Sequence, residues 1–252
     1  MDLGLTGKRA LVMGASKGLG RAIAEALAAE GAALAVTARS TASLAGVKGH
    51  AIAADVSDPA TMDALADAAV AALGGVDILV LNHGGPPPGL ASELDPALLP
   101  VWFARMVESP VRLATRLLPA MRARKWGRII TVGSSGMVQP LPAMVLSNML
   151  RASIVGWNKT LSAEVAGDGV TCNILAPGSI RTDRLVELAA ARAARAGVAA
   201  DALMAEQEAA MPAGRFGRPE EFGAAAAFLA SEKASYISGV IFRVDGANTR
   251  AL

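Results

Sequence analysis

Gly14-Ala15-Ser16-Lys17-Gly18-Leu19-Gly20 stands directly behind the apolar run Arg9–Met13 and directly ahead of a stretch in which Ile23, Ala26 and Leu27 recur at helical spacing. A glycine-rich turn between a strand and a helix is the arrangement that cradles the diphosphate of a dinucleotide. Gly14 permits the tight turn, Gly18 lets backbone approach the diphosphate, and Gly20 lets the helix sit close to the sheet. The helix N-terminus adds N–H groups and a positive dipole. Position, more than the glycines themselves, makes this a binding expectation.

Outward from this turn, short runs rich in Val, Ile and Leu alternate with Ala-rich helical stretches, the pattern of βαβ units feeding a buried parallel sheet. Strands are expected at Arg9–Met13, Ala33–Ala38, Ala51–Ala54, Val76–Leu81, Arg128–Val132, Thr171–Leu175 and Val240–Val244. They predict an α/β, single-domain Rossmann fold over residues 1–252, a doubly wound seven-stranded parallel sheet with helices on both faces. Asp58-Pro59 and Asp95-Pro96 each offer a side-chain acceptor followed by proline, which marks a helix start. Gly31 supplies a left-handed stop to the first helix. The Ala/Arg-rich segment Arg181 to Arg215 reads as a helical insertion that forms a substrate lid.

Composition narrows the function classes. Hydrophobic residues make up 53% of the 252, yet no run of eighteen or more apolar residues lacks charge, Gly or Pro, so a membrane span is not expected. Met1-Asp2-Leu3-Gly4 has no basic segment followed by an apolar one, so a cytoplasmic location is expected. The lone Cys172 argues against a disulfide framework and a Cys-rich metal site, and no metal is expected. A net charge of +2 with both signs interspersed does not call for nucleic acid. The basic stretch Arg116 to Arg128 reads as a solvated helix C-terminus, where cations suit the helix dipole.

The spacing Gly-x-x-x-Gly-x-Gly, in this context, resembles the short-chain dehydrogenase/reductase family, and the resemblance runs over nearly the whole chain. It implies that Asp55-Val56 contacts the adenine ring, that Asn82-x-Gly84 lines the nucleotide, and that Pro177-Gly178 with Ile180 and Thr182 holds the nicotinamide carboxamide. Ser235-Tyr236-Ile237-Ser238-Gly239 and Val244-Asp245-Gly246 resemble the family's last strand and subunit contact. A homotetramer is implied, through the helices around Leu94–Arg124 and Leu141–Ala166 and the last strand. The subgroup resembled is that of β-ketoacyl-carrier-protein reductases, which implies a small carbonyl or alcohol substrate. Arg128 fits a basic carrier-protein docking patch, but Asp168 stands where such reductases carry a basic residue, so the sequence is equivocal on an acyl-carrier partner.

Cofactor choice follows from charge at the end of the second strand, where an acid would bind the ribose of NAD and repel a 2′-phosphate. Here the sequence reads Thr37-Ala38-Arg39-Ser40, without an acid. Arg39 and Lys17 suit a 2′-phosphate through charge-assisted hydrogen bonds, so NADP(H) is favoured over NAD(H).

The family's proton-handling set is Asn, Ser, Tyr and Lys, with Tyr-x-x-x-Lys on one helix face. With the register anchored on Gly127-Arg128-Ile129-Ile130 and Gly156-Trp157, the serine position is Ser134, the tyrosine position Ser147, the lysine position Arg151, and the asparagine position falls near Met106. The tetrad is therefore degenerate, and Tyr236 belongs to another motif. A phenol titrates near 10 in water and a neighbouring ammonium lowers it, whereas an alkyl hydroxyl is a far weaker acid. Losing a positioned general acid costs about 10²- to 10⁴-fold in rate. Ser134, Ser147 and Arg151 are the candidate catalytic residues, and Arg151 also suits the nicotinamide ribose. His83, beside Asn82, is either a proton relay or a histidine bonded to backbone. Gly84-Gly85-Pro86-Pro87-Pro88-Gly89 is too stiff for helix or strand and is expected to wall the substrate mouth. Three functions remain open: an oxidoreductase acting on C=O or CH–OH groups with an atypical catalytic set, an inactive nucleotide-binding or redox-sensing protein, and an enzyme of another class that uses an oxyanion stabiliser. The retained Gly14–Gly20 loop weighs against the third.

Overall fold

A computed structural model describes residues 2–251, the side chains of Ala191 and Arg195 excepted. Seven parallel strands, β1 (Arg9–Val12), β2 (Ala33–Ala38), β3 (His50–Ala53), β4 (Ile78–Leu81), β5 (Gly127–Val132), β6 (Val170–Pro177) and β7 (Ile241–Val244), form one sheet in the order β3-β2-β1-β4-β5-β6-β7. The order reverses between β1 and β4, and open α/β sheets bind ligands outside the carboxyl ends of the strands at that reversal.

The alternation within each strand explains the two helical layers. In β1, Ala10 and Val12 face a core completed by Ile23 and Leu27 of α1 (Gly18–Ala29) and by Phe222 and Leu229 of α8 (Pro219–Ala230). Leu11 and Met13 face the opposite core, filled by Met62, Leu65 and Ala69 of α2 (Met62–Leu73) and by Leu113, Leu117 and Met121 of α4 (Ser109–Ala123). Strands buried on both faces have no polar side to show, which is why they read as continuous apolar runs. A third cluster joins Leu146, Leu150 and Ile154 of α5 (Val145–Val165) to Met106.

Boundaries shift by a residue or two from the sequence expectation. β3 begins at His50 because His50 pairs with Ala35 and the ladder runs to Ala53 opposite Ala38. β6 lengthens to Val170–Pro177, since Pro177 still pairs with Val244. Asp58 accepts a hydrogen bond from Ala60 N (2.9 Å) and opens a short 3₁₀ turn before α2. Asp95 accepts from Ala97 N (2.9 Å), but this only forms a turn, and α3 (Leu98–Phe103) starts later. Between α3 and α4, residues Ala104–Glu108 form a π turn that carries the buried Met106, the position where the family resemblance looks for asparagine. Residues 181–215 hold two helices, α6 (Asp183–Ala196) and α7 (Ala200–Ala209).

One surface reading is corrected and another is extended. Arg128 is 2% exposed, donates to the carbonyls of Ser231 (3.2 Å), Gly127 (2.8 Å) and Gly169 (3.2 Å), and stacks on Trp126, so it cannot form a docking patch. The basic stretch is also more than a solvated helix end. Asp168 accepts from Arg122 (2.6 Å) and Lys125 (2.5 Å), Arg116 pairs with Asp67, and Arg124 reaches Asp77. Among the described residues no helix is long and apolar enough to cross a membrane, and no group of three or more His, Cys, Asp or Glu side chains could hold a metal.

Candidate functional site

The Gly14–Gly20 turn leaves β1 and enters α1 through two left-handed residues, Gly14 (φ 59°) and Gly18 (φ 58°). Asn82, at the end of β4, donates from Nδ2 to the carbonyls of Met13 (3.1 Å) and Gly14 (3.2 Å), which ties the turn to the neighbouring strand across the switch point. At Gly20 a Cβ would lie 2.2 Å from the Gly14 carbonyl oxygen and 2.6 Å from Asn82 Nδ2, so its lack of a side chain serves the close approach of the helix to the loop and to the end of β4. No side chain caps α1, whose N-cap is Lys17. The first-turn N–H groups are thereby left to an anion, which is what a diphosphate requires. Ser16 is partly buried in this turn beside Leu19, and Gly18 faces the Thr182 side chain, whose carbons would lie 3.7 Å from a Cβ at Gly18.

The segment Pro177-Gly178-Ser179-Ile180-Arg181-Thr182 arches over that turn. Gly178 N donates to Val244 O (3.0 Å), a Cβ on Gly178 would lie 2.7 Å from Asp245, and Ile180 bridges to Gly217. Thr182 then becomes the N-cap of α6. Lys17 reaches across to this helix, with Nζ 3.3 Å from Glu187 and 3.8 Å from Asp183. Those pairs are exposed and so contribute little, about 0 to 1 kcal/mol, which makes them easy to exchange for another anion.

Arg39 is exposed at the end of β2, near enough to Asp55 for its charge to favour the carboxylate. Asp55 accepts from Ser57 Oγ (2.7 Å) and Ser57 N (3.0 Å), and these bonds hold it below the usual carboxylate range. Val56 beside it is partly buried. The sequence-selected nucleotide residues Gly14, Lys17, Gly18, Asn82 and Thr182 thus come together around one turn, with Gly178 packed on Asp245 in the segment that leads to Thr182, and Arg39, Asp55 and Val56 at the ends of β2 and β3.

The second cluster lies over β4 and β5. Ser134 follows β5, and its Oγ accepts from Gly136 N (3.1 Å). Ser147 and Arg151, one turn apart on α5, are 6% and 9% exposed. Arg151 donates from Nε to Ser147 Oγ (3.3 Å) and from Nη1 to Val132 O (3.0 Å). Burial pushes the Arg151 guanidinium down to about 10, which leaves it charged at neutral pH. His83 has its Nδ1 2.9 Å from Gly84 O. Because a carbonyl only accepts, Nδ1 carries the proton. Burial, and then the charge of Arg151, lower its pKa to about 4, so the ring is neutral at pH 7 and holds no proton on Nε2. The backbone-bonded alternative for His83 is the one the geometry supports.

Gly84 is open, with nothing within 4 Å of a Cβ, while the far end of the proline loop is fixed: Gly89 N donates to Ala143 O (2.8 Å) and Val145 N to Gly89 O (3.3 Å). Asn148, which sequence reading passed over, clasps Leu141 by donating to its carbonyl (2.8 Å) and accepting from its N–H (3.2 Å). Together these bonds hold the entry to α5, and with it Ser147. A cavity of about 240 Å³ lies there, lined by Gly89, Leu90, Leu141, Met144, Asn148 and Met149 among others.

Comparison with known proteins gives a consistent picture. The family described as enoyl-(acyl carrier protein) reductase matches residues 14–248. The chain is similar to the 3-oxoacyl-(acyl-carrier-protein) reductase FabG of Salmonella typhimurium, with 37% identity over 246 residues, 95% of this chain and 96% of the relative. It is 33% identical over 255 residues to the D-beta-hydroxybutyrate dehydrogenase of Cupriavidus necator, covering 96% of this chain and 98% of that one. Among solved structures, the L-sorbose reductase of Gluconobacter frateurii complexed with NADPH and L-sorbose superposes with a TM-score of 0.93 at 34% identity over 100% of both chains.

Proposed function

Since the chain belongs to the short-chain dehydrogenase/reductase family, we propose that it is an NADP(H)-dependent oxidoreductase that interconverts a small carbonyl compound and its alcohol through an atypical catalytic set. The observation that carries the reading is the uncapped N-terminus of α1, opened by Gly14 and Gly18 at the β1/β4 switch, beside a second cluster of hydroxyls and one guanidinium. The residues present fit the dinucleotide: Gly14, Ser16, Gly18, Leu19 and Gly20 form the cradle, Asn82 and Gly84 one wall, and Pro177, Gly178, Ile180 and Thr182 the other. Arg39 and Lys17 supply the positive charge that a 2′-phosphate needs, which favours NADP(H), and the relative complexed with NADPH supports the same choice.

Bound NADPH supplies a hydride, one hydrogen with two electrons, to a carbonyl carbon. The chain's own part is to hold the carbonyl oxygen and its developing charge. Ser134 and Ser147 offer hydroxyl donors, and Arg151 places a fixed positive charge in a site shielded from water, where oxyanion stabilisation is strongest. The proton that completes the alcohol comes from water, since Ser147 is too weak an acid and His83 is already neutral. Residues 181–215 act as the lid. A homotetramer is part of the proposal, supported by the exposed Val101, Phe103 and Met149 on the helices named for subunit contact.

A second reading, a nucleotide-binding or redox-sensing protein without turnover, is favoured by one observation: His83, the remaining candidate acid, is neutral at pH 7 with its one ring proton held by the Gly84 carbonyl. NADPH absorbance with a panel of ketones and 3-oxoacyl thioesters separates the two. Turnover that falls by about 100-fold or more in Arg151→Met supports the enzyme, in keeping with the loss of an oxyanion donor. Tight NADPH binding with no turnover on any carbonyl class moves the assignment to the sensor.

A further inference from the structure

Arg128 and Arg151 are both buried arginines, and they are compensated very differently. Arg128 has three carbonyl acceptors and an aromatic face. Arg151 has one carbonyl and one hydroxyl, and no carboxylate pairs with it among the described residues. A guanidinium carries five N–H groups, so most of its donors have no protein acceptor. A buried cation without a counter-charge is strongly unfavourable, and such charges in folded proteins are paired or meet a ligand. The neighbouring His83 supplies no negative charge, since an imidazole is either neutral or cationic, and here it is neutral.

The dinucleotide does not supply the missing charge either. Its diphosphate belongs to the N-terminus of α1, above β1, while Arg151 is bonded to Val132 at the end of β5, two strands away. Ribose hydroxyls are neutral, and an oxidised nicotinamide is itself cationic. An anionic substrate is the remaining source of a counter-charge.

We propose that the substrate is a 2-oxo carboxylate or the matching 2-hydroxy carboxylate, and that Arg151 binds its carboxylate while Ser147 meets the adjacent oxygen. The two protein groups are joined by a 3.3 Å hydrogen bond, so a ligand that touches both needs its anionic and reacting oxygens on neighbouring carbons. A planar guanidinium with free N–H groups matches a carboxylate edge, which gives orientation as well as charge. This deepens the carbonyl-reductase reading and rests on it.

Oxamate, a carboxylate beside an amide carbonyl that hydride does not reduce, is the probe, and uncharged oxamide is its control. Each is titrated calorimetrically into the unaltered protein and into Arg151→Met, with and without saturating NADPH. Oxamate is expected to bind the unaltered protein about 100-fold more tightly than oxamide, and to lose about the same factor in Arg151→Met, in line with truncation of a buried charge pair. Equal binding of the two probes, retention of oxamate by Arg151→Met, or no oxamate binding with or without NADPH overturns the proposal. Should Arg151→Met fail to fold, the comparison of oxamate with oxamide on the unaltered protein decides alone. The NADPH titration is read separately: oxamate binding without NADPH binding removes the nucleotide reading and keeps the carboxylate site, and the reverse removes only the carboxylate site.

Discussion

Replacing Gly20 by alanine would place a methyl carbon 2.2 Å from the Gly14 carbonyl oxygen, 2.6 Å from Asn82 Nδ2 and 2.9 Å from the Gly14 carbonyl carbon. On helix propensity alone the change would stabilise α1 by about 1 kcal/mol. The contact works against it, because the methyl is more than about 1 Å inside the usual van der Waals separation. The Gly14 backbone cannot easily give way: it is held in the left-handed region, and Asn82 bonds to both Met13 O and Gly14 O. Overpacking of this kind costs about 1 to 3 kcal/mol, and with backbone as the obstacle the upper part of that range applies, leaving a net loss of about 2 kcal/mol. A turn displaced by about 1 Å also misplaces the diphosphate, which corresponds to about 100-fold weaker NADPH binding. Urea denaturation and NADPH titration measure both effects. Gly167→Ala, in the turn that follows α5, is the control, since its methyl meets nothing within 4 Å. If Gly20→Ala matched the unaltered protein in urea midpoint and in NADPH affinity, the reasoning that ties this turn to the nucleotide would fail.

Other residues give sharper tests of single links. Asp77→Ala strands the Arg9 guanidinium, which now donates to both carboxylate oxygens at 2.7 Å, and a loss of about 2 to 4 kcal/mol is expected in urea denaturation, while a loss under about 0.5 kcal/mol would contradict it. Burial alone would raise Asp77, but Arg9 and Arg124 outweigh it and hold the carboxyl low, so its stabilisation is present above the unfolded value near 4 and is lost as pH falls through the lower folded value. His83 acts in the same sense but in a higher pH window: with its folded pKa at about 4 against 6.5 unfolded, the folded state binds fewer protons and stability declines as pH drops through that window. Thermal unfolding between pH 7 and 4 should therefore be less acid-sensitive in His83→Gln, and an unchanged profile would contradict the neutral, partly buried ring. Arg39→Asp should weaken NADPH binding by about 100-fold with little change for NADH, as expected from replacing a charge-assisted partner by a repulsive one, and equal loss of both would show that Arg39 acts on adenine instead.

The fold was legible because its signals are local. The Gly14–Gly20 turn, the Asp58 cap and the apolar runs are each read within a few residues, and all seven strands fall within two residues of expectation at their starts. What sequence could not show depends on contacts between distant residues. Arg128 was mistaken for surface because its burial comes from Ser231, 103 residues away. Lys17 meets Glu187 across 170 residues, so nothing near Lys17 announced it. Asn148 is an ordinary helical amide until the fold brings Leu141 against it, and the π turn at Ala104–Glu108 has no composition of its own. For Ser147 and Arg151 the spacing of four identified a shared helix face, but the lack of a counter-charge around Arg151 emerged only from the packed structure.

The most direct test of the central claim is calorimetric titration of the purified protein with NADPH and NADH. The account predicts one NADPH site per chain, with NADPH bound about 100-fold more tightly than NADH, the factor expected of a charge-assisted 2′-phosphate contact. No binding of either dinucleotide would contradict the account.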